Sequence, residues 1–210
     1  WSSDVCSSDL DASNADDSVD LSGKVYVGTS ENLTFDLSGA PSGQNLFLMY
    51  TTSSPTVVDG RIAGVSIIAT GKDPANQSTG LSISAGDTIN TSQAGGPTTF
   101  GTNNQMVVEG EGIRYTFVTG AKADYTIPNL DQNEADVEAN IDFTAMFDAQ
   151  SASFDIVQLQ SGKSAVVKIT ALTSATEAGA AFIDGYANDT KVAITLASIT
   201  VLDSTGNAAA

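Results

Sequence analysis

Short stretches in which apolar and polar residues alternate, separated by turn clusters, run through most of this 210-residue chain. In a β-strand every second side chain shares a face, so period-two alternation reads as a strand with one buried side. Gly112–Thr119 is the clearest case: Ile113, Tyr115 and Phe117 oppose Arg114, Thr116 and Val118. In Ser164–Leu172, Ala165, Val167, Ile169 and Ala171 alternate with Ser164, Val166, Lys168 and Thr170. Leu33, Phe35 and Leu37 mark a strand over Asn32–Leu37, and Leu46, Leu48 and Tyr50 one over Asn45–Thr51. Ile62–Thr70 is nearly continuous in apolar residues, the pattern of a strand covered on both sides.

Further strands are expected at Lys24–Val27, Leu81–Ile83, Asp87–Ile89, Ala152–Leu159, Ala180–Tyr186 and Lys191–Leu202. The alternation in Ala152–Leu159 slips between Ile156 and Leu159, as at a β-bulge. Much of 71–105 is Gly-, Pro-, Ser-, Thr- and Asn-rich and reads as long loops. Asn133–Phe147 carries Val137, Ile141 and Ala145 at four-residue spacing behind an Asn133 cap, a helical signal. The reading preferred for it is an acidic loop followed by a strand at Ile141–Phe147. With about ten short strands and no strand–helix–strand rhythm, the fold class is all-β: an antiparallel two-sheet sandwich, jelly-roll-like. Its core is expected to hold Phe35, Leu48, Ile67, Tyr115, Phe117, Phe154, Ile156, Val167, Ile169, Ile194 and Leu196.

The ends of the chain fall outside this pattern. Residues 1–10, Trp-Ser-Ser-Asp-Val-Cys-Ser-Ser-Asp-Leu, lack the layout of a signal peptide. They resemble the translation of a sequencing-adapter remnant, which makes the chain a fragment of a longer protein; the alternative is an ordinary flexible tail. Residues 11–23 read as an acidic linker, 24–204 as a single β-sandwich domain and 205–210 as a disordered tail.

Composition narrows the function. Eight Lys and Arg against 25 Asp and Glu give a net charge of −17. No basic stripe exists to neutralise nucleic-acid phosphates or to adsorb to anionic lipid. No apolar run reaches the ~20 residues a membrane-spanning helix needs, so no membrane insertion is expected. There is no His; the one Cys, Cys6, and the one Trp, Trp1, both lie in the excluded segment. A Ser–His or Cys–His nucleophile is therefore unavailable, and disulfides play no part. Ser161-Gly-Lys-Ser164 imitates the end of a phosphate loop, but Val157 stands where its first Gly belongs, so a hairpin turn is expected. Paired carboxylates for glycoside hydrolysis are uninformative among 25 acids.

The strongest ligand candidate is the acidic stretch 131–142. Asp131, Asn133, Asp136 and Glu138 are hard oxygen donors at close spacing, suited to Ca²⁺, and the absence of His and thiols disfavours Zn²⁺ and Cu²⁺. The helix-loop-helix calcium loop does not fit, because Asp136 takes the position of its glycine. Asp184-Gly-Tyr-Ala-Asn-Asp189 and the group Asp16, Asp17 and Asp20 are weaker candidates. Tyr125, Tyr186 and Phe100, with Asn103 and Asn104, have the residue types of a sugar site, although core anchoring explains the aromatics more simply.

The stretch Asn104-Gln-Met-Val-Val-Glu-Gly-Glu-Gly-Ile-Arg-Tyr-Thr-Phe-Val-Thr-Gly120 resembles a β-rich module of giant bacterial surface proteins exported by type I secretion, the calcium-dependent repeat adhesins and agglutinins. Such modules carry an acidic Gly-Glu turn, then an Ile/Leu-Arg-Phe-like strand ending in Val-Thr-Gly. The nonapeptide Gly-Gly-x-Gly-x-Asp calcium repeat of those proteins is absent from this sequence. The resemblance implies a non-catalytic extracellular module, a structural spacer or an adhesive unit, at the bacterial cell surface. Its partners would be neighbouring modules of the same chain and cell-surface glycans. Two other classes fit the same residues: a carbohydrate-binding module of a secreted enzyme, and a self-assembling subunit of a pilus, surface layer or virion.

Overall fold

Strand residues whose neighbours are apolar on both sides occupy the centre of the molecule. The structure is a computed structural model describing residues 7–12, 33–35, 37–76, 79, 83, 85–92, 98–149, 152, 154, 156, 165–174, 177–195, 199–202, 205, 207 and 208. The strands are β1 (Ser7–Ala12), β2 (Phe47–Tyr50), β3 (Val57–Val58), β4 (Arg61–Ile62), β5 (Val65–Gly71), β6 (Ile89–Ser92), β7 (Thr99–Thr102), β8 (Gly112–Thr119), β9 (Ala145–Met146), β10 (Val167–Thr173) and β11 (Thr190–Val192). One α-helical turn, α1 (Gln132–Ala135), and 3-10 turns at Ala123–Tyr125, Glu138–Asn140, Gly179–Ala181 and Asp184–Asn188 complete the described elements.

The fold is all-β, and among the described residues every strand pairing is antiparallel. Seven strands form one sheet in the order β11-β10-β1-β8-β5-β2, with β9 also pairing with β8. Two ribbons, β3-β4 and β6-β7, stand apart from that sheet. Register sorts the sheet into two faces. Tyr50, Ile67 and Phe117 lie side by side, as do Leu48, Ala69 and Tyr115. The opposite face carries Met49, Ile68 and Thr116, then Phe47, Thr70 and Arg114.

Both faces are covered, which is why β2 and β5 are buried along their whole length. Over the first face lies Phe100 of β7, edge-on to Tyr50 and to Tyr115 with ring centroids 5.6 and 6.0 Å apart. Over the second lie Phe182 and Tyr186, joined edge-on at 5.5 Å, with Phe143 behind Phe182 at 5.9 Å. At Gly71 the chain passes so close to Asp87 that a Cβ would lie 2.6 Å from its carbonyl oxygen, so only glycine fits there.

β8 coincides with the expected strand. β2, β5 and β10 fall within a few residues of theirs. Several expectations change. Ala180–Tyr186 is not a strand but two 3-10 turns, begun at Gly179 with φ 68°. β7 lies in a stretch read as loop. The 133–147 segment holds neither a long helix nor a strand over Ile141–Phe147: α1 and a 3-10 turn precede the two-residue β9. Its cap is Asp131, not Asn133, and Asp131 with Glu134 forms a reciprocal capping box. The strand expected over Lys191–Leu202 stops at Val192, leaving Ile194 36% exposed. Ile156 also leaves the expected core, at 41% exposure. Phe35, Leu48, Ile67 and Phe117 are buried as expected, and Tyr115, Phe154, Val167 and Ile169 pack partly buried against the core. Leu196 and the Lys24–Val27 strand lie outside the described residues, and so does most of Ala152–Leu159. Ser7–Ala12, which straddles the set-aside residues 1–10 and the start of the expected linker 11–23, forms β1 between β8 and β10.

Candidate functional site

Alternation along β8 turns Arg114 onto the same face as Thr70 of β5. There it meets the chain returning at 174–189. The guanidinium forms an ion pair with Asp189, each side chain 6% exposed, and its second nitrogen donates to Ser174 Oγ at 2.9 Å. Ser174 Oγ in turn donates to the other Asp189 oxygen. The guanidinium carbon stands 3.4 Å from the centroid of the Tyr186 ring, a cation–π contact out of solvent. Tyr186 Oη and Thr70 Oγ1 share a hydrogen bond of 2.9 Å.

The electrostatics follow from this enclosure. Burial pushes the Tyr186 phenol up to about 12, helped by the Asp189 and Glu138 carboxylates and opposed by Arg114 and Thr70. The phenol therefore stays protonated near neutral pH and serves as a hydrogen-bonding lid on the ion pair. A buried charge of one sign is matched by one of the other, and Ser174 Oγ bridges the two, while Arg114 Nε is buried without a hydrogen-bond partner.

A second polar cluster fixes the loops beside β8. Asn103, in the left-handed region at φ 59°, donates through Nδ2 to Asp87 Oδ1 at 3.1 Å and to Glu111 Oε1 at 3.0 Å. Its Oδ1 accepts from the Thr88 amide at 3.1 Å, while Glu111 Oε2 accepts from the Val108 amide at 3.0 Å. The Gly-Glu turn is thus an anchor between two loops. Asn104 Oδ1 accepts from the Met106 amide at 2.8 Å.

The proposed calcium ligands are put to separate uses. Asp131 Oδ1 accepts from the Glu134 amide at 2.9 Å as the α1 cap. Asn133 is exposed within α1. Asp136 ends that helix and is buried. Glu138 is buried too, and its Oε1 accepts from the Ile183 amide at 2.8 Å, tying the 3-10 turn at Glu138–Asn140 to the 182–189 segment. Among the described residues no three His, Cys, Asp or Glu side chains are grouped to hold a metal ion. In the second candidate, Asp184 accepts from Asn76 and Asp189 pairs with Arg114. Asp16, Asp17 and Asp20 lie outside the described residues, as does Ser161–Ser164. Of the aromatics, Phe100 is buried, Tyr186 covers Arg114, and Tyr125 has the Lys122 ammonium 4.3 Å from its ring centre.

Sequence reasoning did not find the partners of Arg114. A cation in the middle of an alternating strand, in a chain with only eight Lys and Arg, was the available signal. Asp189 lies 75 residues away, a separation no local pattern reveals.

Burial pushes the Asp136 carboxyl above the ordinary carboxylate range, against a hydrogen bond from the Leu46 backbone, and Asp136 Oδ1 has no hydrogen-bond partner. A raised folded-state value means the folded chain favours the protonated form. The associated stability is present below the unfolded value, near pH 4, and is lost as pH rises through the folded value. Asp136→Asn is therefore expected to raise Tm at pH 7, with the gain vanishing below pH ~4, in thermal melts of both chains across that range.

No protein-family model, curated protein or solved structure matches the chain. Among the described residues no helix is long and apolar enough to cross a membrane.

Proposed function

We propose that this chain is a non-catalytic structural module of a large bacterial surface protein, closed into a two-layer, jelly-roll-like sandwich and acting as a spacer or adhesive unit outside the cell. The observation that supports the reading is the use made of the polar residues in the Gly110–Thr119 motif. Glu111 is spent on Asn103 and Val108, and Arg114 on Asp189 and Ser174. The Arg114 cluster joins segments 60 and 75 residues apart, and the Glu111 cluster ties neighbouring loops to each other, which is work suited to a module that must keep its shape. The acid excess keeps neighbouring modules apart by self-repulsion.

Recovery of the complete reading frame tests this. Tandem β modules and a C-terminal secretion region are expected on either side; an adjoining hydrolase domain would overturn the spacer reading in favour of a carbohydrate-binding module. Turnover on glycosides, esters or peptides that one carboxylate substitution abolishes would overturn the non-catalytic part.

Calcium binding at 131–138 belongs to the same proposal and has its own test. An ion bound only to the folded chain stabilises it by about 2.7 kcal/mol at a free concentration one hundred times Kd. Melts with Ca²⁺ and with chelator, at matched ionic strength, should then differ, and equal midpoints would remove the ion. Asp131→Asn preserves an N-capping side chain, whereas Asp131→Ala should cost about 1 kcal/mol even with chelator present.

A further inference from the structure

The sheet contains an unusual pairing of strand and surroundings. β1, in the middle of the seven-stranded sheet, reads Ser-Ser-Asp-Leu-Asp-Ala. Asp is a poor strand residue, and a single large apolar residue is little to offer an interior position. Yet its neighbours form a patterned slot. Positions 8, 10 and 12 fall on the face of Ile113 and Tyr115 on β8 and of Val167, Ile169 and Ala171 on β10. Positions 7, 9 and 11 fall on the face of Gly112, Arg114 and Thr116 and of Lys168, Thr170 and Leu172. The slot asks for an alternating strand, apolar on one face and mainly polar on the other.

A sequence with that alternation occurs elsewhere in the chain. Residues 197–201 read Ala-Ser-Ile-Thr-Val, so Ala197, Ile199 and Val201 alternate with Ser198 and Thr200. Ile199, Val201 and Leu202 are 41%, 66% and 58% exposed, and the one bridge among the described residues there joins Leu202 to Ala208. We propose that the β8–β10 slot accepts this segment from a second copy of the chain, displacing β1 and linking copies head to tail.

Topology directs the segment to another copy rather than its own. β1 and β11 are both antiparallel to β10, so a strand in the slot runs parallel to β11 across β10. Joining parallel strands of one sheet takes a dozen residues or more. Only 193–196 separate Val192 from Ala197, so a chain whose β11 is paired cannot fill its own slot. The exchange is heterologous, donor on one surface and acceptor on another, and such contacts propagate into open chains unless a ring closes. The tethered β1 competes at an effective concentration in the ~mM range, so assembly depends on protein concentration. The inference does not rest on the spacer reading.

Light scattering behind size-exclusion chromatography of the full chain, from ~1 µM to ~1 mM, is the test. Masses that climb through multiples of 21.5 kDa are expected. Ile199→Asp/Val201→Asp should stay at one chain mass with unchanged circular dichroism, since both side chains are exposed in the single copy. A synthetic peptide of residues 193–203 should shorten the assemblies and speed hydrogen exchange at the β1 amides. One chain mass throughout, assemblies that persist in the double variant, or a peptide that leaves β1 exchange unchanged would each overturn the proposal.

Discussion

Arg114→Met is expected to lower the unfolding free energy by about 3–5 kcal/mol, because it leaves Asp189 charged in a buried site with no counter-ion. Domains of this kind have about 5–15 kcal/mol in total, so the variant should melt far below the parent or fail to fold. The same substitution also uncovers the face of the Tyr186 ring and removes the donor to Ser174. Arg114→Met/Asp189→Leu, which removes both charges and refills the volume, should recover most of the loss. Arg114→Lys should recover little, since an ammonium cannot hold Asp189 and Ser174 while lying flat on the ring. Urea unfolding of the four chains measures these differences. A single variant within ~1 kcal/mol of the parent would mean that Asp189 is solvated or neutralised some other way.

Phe100→Ala should cost about 3–5 kcal/mol. Phe100 is buried and is the ring that fastens the β6–β7 ribbon to the sheet, edge-on to Tyr50 of β2 and Tyr115 of β8. β6 and β7 pair with each other, and a backbone bridge from Ile89 to Asn45 also links the ribbon to the region beside β2. Loss of the ring should loosen the ribbon more than the sheet. Amide exchange resolves this: β6 and β7 should lose protection before β5 and β8. Uniform loss across all four strands would show that ribbon and sheet open as one unit.

How much of this was legible in the sequence depended on whether a residue's environment was set by its neighbours in the chain. β8 was readable to its ends because alternation is a local signal, although its more polar face, with Arg114 and Thr116, is buried as well. β5 was readable because its apolar run already reports cover on two faces. The expected strand over Ala180–Tyr186 was misread for the opposite reason. Phe182, Ile183 and Tyr186 have strand-like composition, but Gly179 turns the chain and Glu138, from 45 residues earlier, captures the Ile183 amide. β7 was lost among glycines and threonines, since only the placement of Tyr50 and Tyr115 makes Phe100 a core residue. The Asp131–Glu134 capping box is legible in its Asp-x-x-Glu spacing, although Asp131 reads equally as a hard oxygen ligand. Arg114 was visible as a misfit and its partner was not.

The length of chain between Arg114 and Asp189 also sets an order of events. The ion pair joins residues 75 positions apart, and distant closures of this sort are slow to form because loop entropy must be met before any contact rewards it. A chain emerging from its N-terminal side presents β2, β5 and β8 while the guanidinium still lacks its carboxylate. Until residue 189 arrives, that cation disfavours burial of the face it sits on. The pair therefore acts as a late latch: β8 is made early, and the surface around Arg114 is closed by one of the last segments to appear.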